Sequence, residues 1–189
     1  MKFSNFIIIL YLLSIPLYST TKGELTLENL CIQSSDIIIA EVMEIKYIPV
    51  NNGFRVYTLV TFNIKESIKG SIQPGEVINI RFLGGKYNGL TTQVSETPLF
   101  ELEETSLLFL NRKQYKDKEI LYIVGRDQGK YEVINDQNTG KEFVYRKNVP
   151  KKLRKNNKSL PPVLDQNGLE LSQFISEINY SSQEVKNEN

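Results

Sequence analysis

Between Asp36 and Val124 the chain is a succession of short β-branched runs separated by Gly, Pro and Asn turns, and this block restricts the folds open to it. In the first run Ile38, Ala40 and Val42 share one parity, whereas Met43, Ile45 and Tyr47 follow the other. Side chains along a strand alternate strictly, so the slip at Val42-Met43 predicts a β-bulge or sharp bend. A long first strand that bends midway is what a small barrel needs, because that strand must pair at both ends of the sheet. Asn51-Asn52-Gly53 reads as a hairpin turn. The returning strand, from Arg55 to Ile68, carries an inward row of Val56, Thr58, Val60, Phe62 and Ile64. Lys69-Gly70 ends it and Pro74-Gly75 turns the chain into Val77–Leu83, with Ile78, Ile80 and Phe82 inward. A looser Gly-rich stretch follows, then Ser106–Leu110, apolar on both faces and therefore central, then Ile120–Val124. Five short strands at this spacing favour a barrel over a sandwich, which wants seven or more. The expected fold class is mainly β: a small five-stranded OB-like barrel with a short N-terminal helix, an added hairpin and a C-terminal helix.

The flanks supply those additions. Thr26 can cap a helix through Gln33, placing Leu27, Leu30 and Cys31 on one face. Tyr131–Ile134 and Glu142–Tyr145 can pair around Asn138-Thr139-Gly140. Arg146 to Lys158 holds seven basic residues and no acidic one, the composition of a linker or exposed loop. Ser172 can cap a final helix striped by Leu171, Phe174, Ile175 and Ile178.

At the N-terminus, Lys2 and the apolar run Phe6–Leu13, then Pro16 and Ser19-Thr20-Thr21, have the order of a secretory signal. The run is shorter than the roughly 20 residues a membrane-spanning helix requires. An uncleaved anchor is the alternative. The expected division is a signal at 1–19, an OB-like barrel domain at 20–145, a basic linker at 146–168, and a helix with polar tail at 169–189. The expected location is secreted or periplasmic. Losing the signal removes one lysine and no acid, leaving acids and bases in equal number, which argues against nucleic acid as a partner.

The residue inventory restricts the chemistry. With no histidine, a Ser-His-Asp or Cys-His nucleophile cannot be assembled. A single cysteine, Cys31, forms no internal disulfide and makes a zinc site improbable; it reads as a small buried residue. Glu101, Glu103 and Glu104 are the candidates for carboxylate-only acid/base work, and their clustering reads better as a solvated turn. Gly84, Gly85, Lys86, Tyr87 and Gly89 form a Gly-rich rim loop that can meet a ligand, with Phe100 beyond it; the loop lacks the context of a phosphate-binding motif. Tyr57, Tyr87, Tyr115 and Tyr122 offer rings for base stacking, a reading the neutral charge opposes. Lys147–Lys158 can make weak contact with an anionic surface.

The order of motifs resembles a group of uncharacterised bacterial secreted proteins. It comprises Ser35-Asp36-Ile37-Ile38-Ile39-Ala40-Glu41-Val42, Phe62-x-Ile64 leading to Lys69-Gly70, and Gly84-Gly85-x-x-x-Gly89. Pro98-Leu99-Phe100, Glu103-Glu104-x-x-Leu107-Leu108-Phe109-Leu110 and Gly129-Lys130-Tyr131 follow, so the likeness spans roughly residues 34–134. The strand opening on Ser-Asp and the Lys-Gly turn are also similar to the netrin-like domain of tissue inhibitors of metalloproteinases, which implies an OB barrel. Inhibitors of that family chelate the target's zinc with a mature N-terminal cysteine. Cleavage near Ser19 leaves Cys31 internal, and the family's disulfides are absent, so the mechanism does not carry over. The expectation is a non-enzymatic binding module, monomeric, with no catalytic residue, metal or cofactor, engaging a protein or cell-envelope component. The alternatives are an inhibitor-like protein and a carboxylate-only hydrolase.

Overall fold

The computed structural model describes residues 23–136, 139–146 and 168–187, with side chains described to residue 183. The predicted signal and nearly all of the basic run fall outside these residues. Helix α1 spans Leu27–Gln33, and the Thr26 hydroxyl accepts the Asn29 backbone N–H as its N-cap, as its sequence predicts. The strands are β1 (Asp36–Val50), β2 (Arg55–Lys69), β3 (Val77–Leu83), β4 (Gly85–Tyr87) and β5 (Leu90–Thr92). They continue as β6 (Thr105–Tyr115), β7 (Lys118–Ile123), β8 (Lys130–Asp136), β9 (Lys141–Tyr145) and β10 (Leu169–Glu170), with a 3-10 turn at Arg126–Gly129 between β7 and β8. Helix α2, Leu171–Asn187, closes the described chain.

Eight strands form one antiparallel sheet in the order β10-β9-β8-β6-β1-β2-β3, with β7 also paired to β6; β4 and β5 make a separate hairpin. The fold is thus mainly β, as expected, but the sheet is larger than five strands and is not closed into a barrel. β7 comes against β3, yet among the described residues no backbone ladder joins them. The Gly-rich stretch expected to be loose is the β4–β5 hairpin, paired Gly85 to Thr92 and Tyr87 to Leu90.

The parity slip is where the sequence puts it. The β1–β2 register jumps between Val42 and Glu44, leaving Met43 unopposed and exposed. Two further jumps, at Ile37/Ile38 and Ile39/Ala40, skip Ile68 and Lys65 of β2. Three irregularities in one strand pair supply the extra twist that curls β2 and β3 over the sheet.

Alternation in β1 and β6 divides the core in two. Ile37, Ile39, Leu107 and Phe109 face a cluster completed by Leu30, Cys31, Tyr131, Val144, Phe174 and Ile178. Ile38, Ala40, Val42, Leu108 and Leu110 face a second cluster with Val60, Phe62, Ile64, Ile78 and Ile80. The run Leu107–Leu110 is apolar throughout because the helices cover one face and the curled β2–β3 segment covers the other.

Helix α2 belongs to this core. Phe174 and Ile178 are fully buried, and the Phe174 ring lies 4.9 Å from Tyr131. Burying such a side chain is worth about 1.5–3 kcal/mol. Ser172 is not its cap: the helix begins at Leu171, and the Ser172 hydroxyl donates to Glu170. Arg146, read from composition as the first linker residue, is buried against the Tyr131 ring at 5.8 Å and donates to Gln128.

Candidate functional site

Two buried charged centres set the frame around which the surface is built. Asp36 opens β1 with a side chain only 1% exposed. Its carboxylate accepts from Arg112 Nε and Nη2 at 3.0 and 3.1 Å, from the Ser35 hydroxyl, and from the backbone N–H groups of Ser71 and Ile72. Burial pushes this carboxyl up, but the Arg112, Ser35 and backbone donors outweigh it and hold it down to about 2. Beside it Lys69 Nζ donates to the carbonyls of Cys31 and Ser34, closing the C-terminal end of α1. The Ser-Asp and Lys-Gly pieces of the sequence pattern therefore meet each other; their chemistry ties α1, β1 and the β2–β3 turn together.

The second centre pairs Lys130 with Glu104 at 2.6 Å, with side chains 6% and 5% exposed. Lys130 also donates to the Leu99 carbonyl and lies 4.1 Å over the Phe100 ring. Glu104 accepts from the Glu101 backbone N–H and the Ser106 hydroxyl. Glu104 and Glu103 are further joined to Val42 by backbone bonds of 2.9 Å each. The segment from Leu99 to Glu104 is thereby tied to the bulge of β1, and Phe100 is seated against Phe62 and Phe82 at 5.1 and 5.3 Å.

This anchoring leaves two adjoining clefts. One, of about 340 Å³, lies at the unpaired seam between β3 and β7 and is lined by Ile80, Phe82, Leu83, Tyr122, Ile123 and the Val94–Pro98 segment. Arg126 reaches Glu96 at 2.6 Å, and the Asp127 N–H donates to the Glu96 carbonyl, which fastens that segment across the seam. The second, of about 300 Å³, lies beneath the β4–β5 hairpin, walled by Tyr47, Thr58, Lys86, Thr92 and Phe100. The two share Phe82, Leu83, Val94, Thr97 and Pro98. The floor of the second depends on Gly85: at φ +143° a Cβ there would lie 2.8 Å from Tyr47 and 2.9 Å from Thr58.

Of the rim-loop candidates, Gly84, Gly85, Lys86 and Phe100 converge on the second cleft. Tyr87 and Gly89 do not. The Tyr87 ring packs on Gly53, and Gly89 forms the β4–β5 turn with open space around it. The sequence did not single out Thr97 or Arg126; Pro98 entered only as part of a motif, and Tyr122 only as a ring for base stacking. The Pro98-Leu99-Phe100 and Gly129-Lys130 pieces were the available pointers, and they mark the anchor rather than the walls.

The acidic trio divides. Glu101 and Glu103 are exposed, whereas Glu104, expected in a solvated turn, is buried and paired. Cys31 lies inside α1, fully buried, and burial pushes its thiol up to about 11, against the charge of Lys69. The four tyrosines are dispersed: Tyr57 lies under Arg81, Tyr87 on Gly53, Tyr115 beside Lys116 and Tyr122 in the first cleft. Among the described residues no three His, Cys, Asp or Glu side chains are grouped to hold a metal ion, and no helix is long and apolar enough to cross a membrane. Comparison of the chain with protein-family models, curated proteins and solved structures finds no match.

Proposed function

We propose that the chain is a secreted, non-enzymatic binding module of OB-like design that engages a protein or cell-envelope component through the joined clefts. The OB-like reading is supported by strand β1, which pairs with β2 along its length and with β6 over its first half, while β7 approaches β3. In this reading the seam is the unsealed side of the barrel. The observation that carries the function is the pair of clefts sharing Phe82, Leu83, Val94, Thr97 and Pro98, an apolar concavity beside a rim of backbone and hydroxyl groups. Binding rather than catalysis is favoured because the interior carboxylates Asp36 and Glu104 are each paired with a cation rather than with each other.

Photo-cross-linking residues placed at Lys86 and Tyr122 in the producing cells test the reading. The same partner is expected at both positions and not at Lys113, on the outer part of β6. Thr97→Arg, which puts a charge into the shared wall, is expected to abolish capture without lowering the melting temperature by more than a few degrees. Equal capture from Lys113, or capture unaffected by Thr97→Arg, overturns the reading.

A further inference from the structure

We infer that the paired tips of the β1–β2 and β4–β5 hairpins form a docking surface for an anionic lipid bilayer. This surface adjoins the clefts, with Leu83 and Lys86 common to both, but its tips Phe54 and Leu90 line neither cleft and the surface is argued from them. Phe54, at the β1–β2 turn, is 83% exposed, and Leu90, at the β4–β5 turn, is 75% exposed. The two tips are held together, since the Tyr87 ring occupies the space a side chain at Gly53 would need. Two large apolar side chains are therefore presented from a rigid double tip.

The strand face behind the tips continues the surface. Ile48, Tyr57 and Leu83 stand opposite one another across β1, β2 and β3, so they form one apolar row on one face of the sheet. Ile48 and Leu83 are both exposed. Arg55 flanks the row on one side and Arg81 on the other, the latter stacked 4.8 Å over the Tyr57 ring. Among the described residues neither Arg55 nor Lys86 takes part in an ion pair.

Charge decides the occupant. Residues 45–65 and 77–95 contain no aspartate or glutamate, although the chain as a whole is nearly balanced. All charge within these two segments is positive; Lys46 and Lys65 are paired with Glu44 and Glu41, which leaves Arg55, Arg81 and Lys86 as the cations near the exposed aromatic and aliphatic groups. Apolar tips entering the headgroup boundary, with cations resting on anionic headgroups, use both features at once. A bilayer also accepts isolated tips without the matching pocket that a protein partner would have to supply.

Amide hydrogen exchange on the full-length protein, with vesicles of phosphatidylcholine alone or mixed with phosphatidylglycerol, tests this. Protection at residues 50–56 and 86–91 is expected with the mixed vesicles and not with phosphatidylcholine. Because the readout is local, attachment through the N-terminal apolar run or the basic run at 147–158 gives a different pattern, and that pattern alone overturns the proposal. In flotation, Phe54→Ser with Leu90→Ser is expected to weaken binding at least tenfold. Replacing Arg55, which lines neither cleft, by Gln is expected to cost about fivefold. Unchanged exchange in β6 confirms that the variants are folded. Undiminished binding in both variants overturns the proposal, as does tip protection by a protein extract but not by vesicles.

Discussion

Asp36 and Arg112 meet through two near-parallel hydrogen bonds, Nε to Oδ2 at 3.0 Å and Nη2 to Oδ1 at 3.1 Å, although 76 positions separate them in the chain. The same guanidinium donates to Ser71 and Glu119, so one side chain joins β1, the β2–β3 turn and β7. The carboxylate is buried and the guanidinium partly exposed, which lowers the desolvation cost of the cation.

Acid stability follows from this pair. The Asp36 carboxyl lies near 2 in the fold against 3.8 ordinarily, so the fold favours its charged form. Its contribution, about 2 kcal/mol, is present above pH 4 and is lost as pH falls toward 2. Melting temperatures measured from pH 6 to 2 should fall steeply below pH 4. Asp36→Asn should be less stable by roughly 3 kcal/mol at pH 7 and show a shallower acid limb. An unchanged slope in the variant would assign acid sensitivity to other groups.

In the alkaline direction the sign reverses. Burial raises the Cys31 thiol to about 11 and the Tyr131 phenol to about 12, so the fold favours their neutral forms. That stability holds below the ordinary values of 9.0 and 10.0 and is lost as pH rises through 11 and 12. With no histidine to titrate, denaturant midpoints should be nearly flat between pH 5 and 8. A marked slope in that window would contradict this assignment.

Gly70 and Gly75 form a matched pair for testing the Asp36 centre. Both have positive φ, +103° and +87°, but a Cβ at Gly70 would lie 2.3 Å from Asp36 Oδ1, whereas at Gly75 nothing lies within 4 Å. Gly75→Ala should cost about 1 kcal/mol from backbone strain alone. Gly70→Ala should cost that and the displacement of the carboxylate, roughly 3 kcal/mol or more. Equal costs in urea unfolding would remove the steric argument.

The Lys130–Glu104 pair should behave non-additively. Lys130→Met or Glu104→Leu leaves one buried charge uncompensated and should each cost about 3–5 kcal/mol. The double variant should lose much less than the sum, because no charge is stranded. Additive losses in a double-mutant cycle would mean the two act separately.

Helix α2 should control access to Cys31, whose thiol lies 3.9 Å from the Ile178 carbonyl. Native protein should react slowly with thiol reagents. Phe174→Ala should cost about 3–5 kcal/mol and accelerate labelling by opening this packing. Labelling at an unchanged rate, despite lost stability, would place the opening elsewhere.

What the sequence determined by itself is local. Thr26 caps α1, the parity slip leaves Met43 unopposed, Val77–Leu83 forms β3, and the two-faced run at Leu107–Leu110 is central. These follow from side-chain period and turn chemistry, which act over a few residues. The clefts were legible only in part: Gly84, Gly85, Lys86 and Phe100 stand out as glycines, a cation and an aromatic near a turn, whereas Thr97 and Tyr122 acquire meaning from their neighbours. Tertiary structure alone decided that Asp36 takes Arg112 and Glu104 takes Lys130, that α2 completes the core, and that the β3–β7 seam stays unpaired. A charge in a sequence carries no mark of its partner. Burial selects that partner, because a carboxylate removed from water must find donors wherever the chain's curvature brings them.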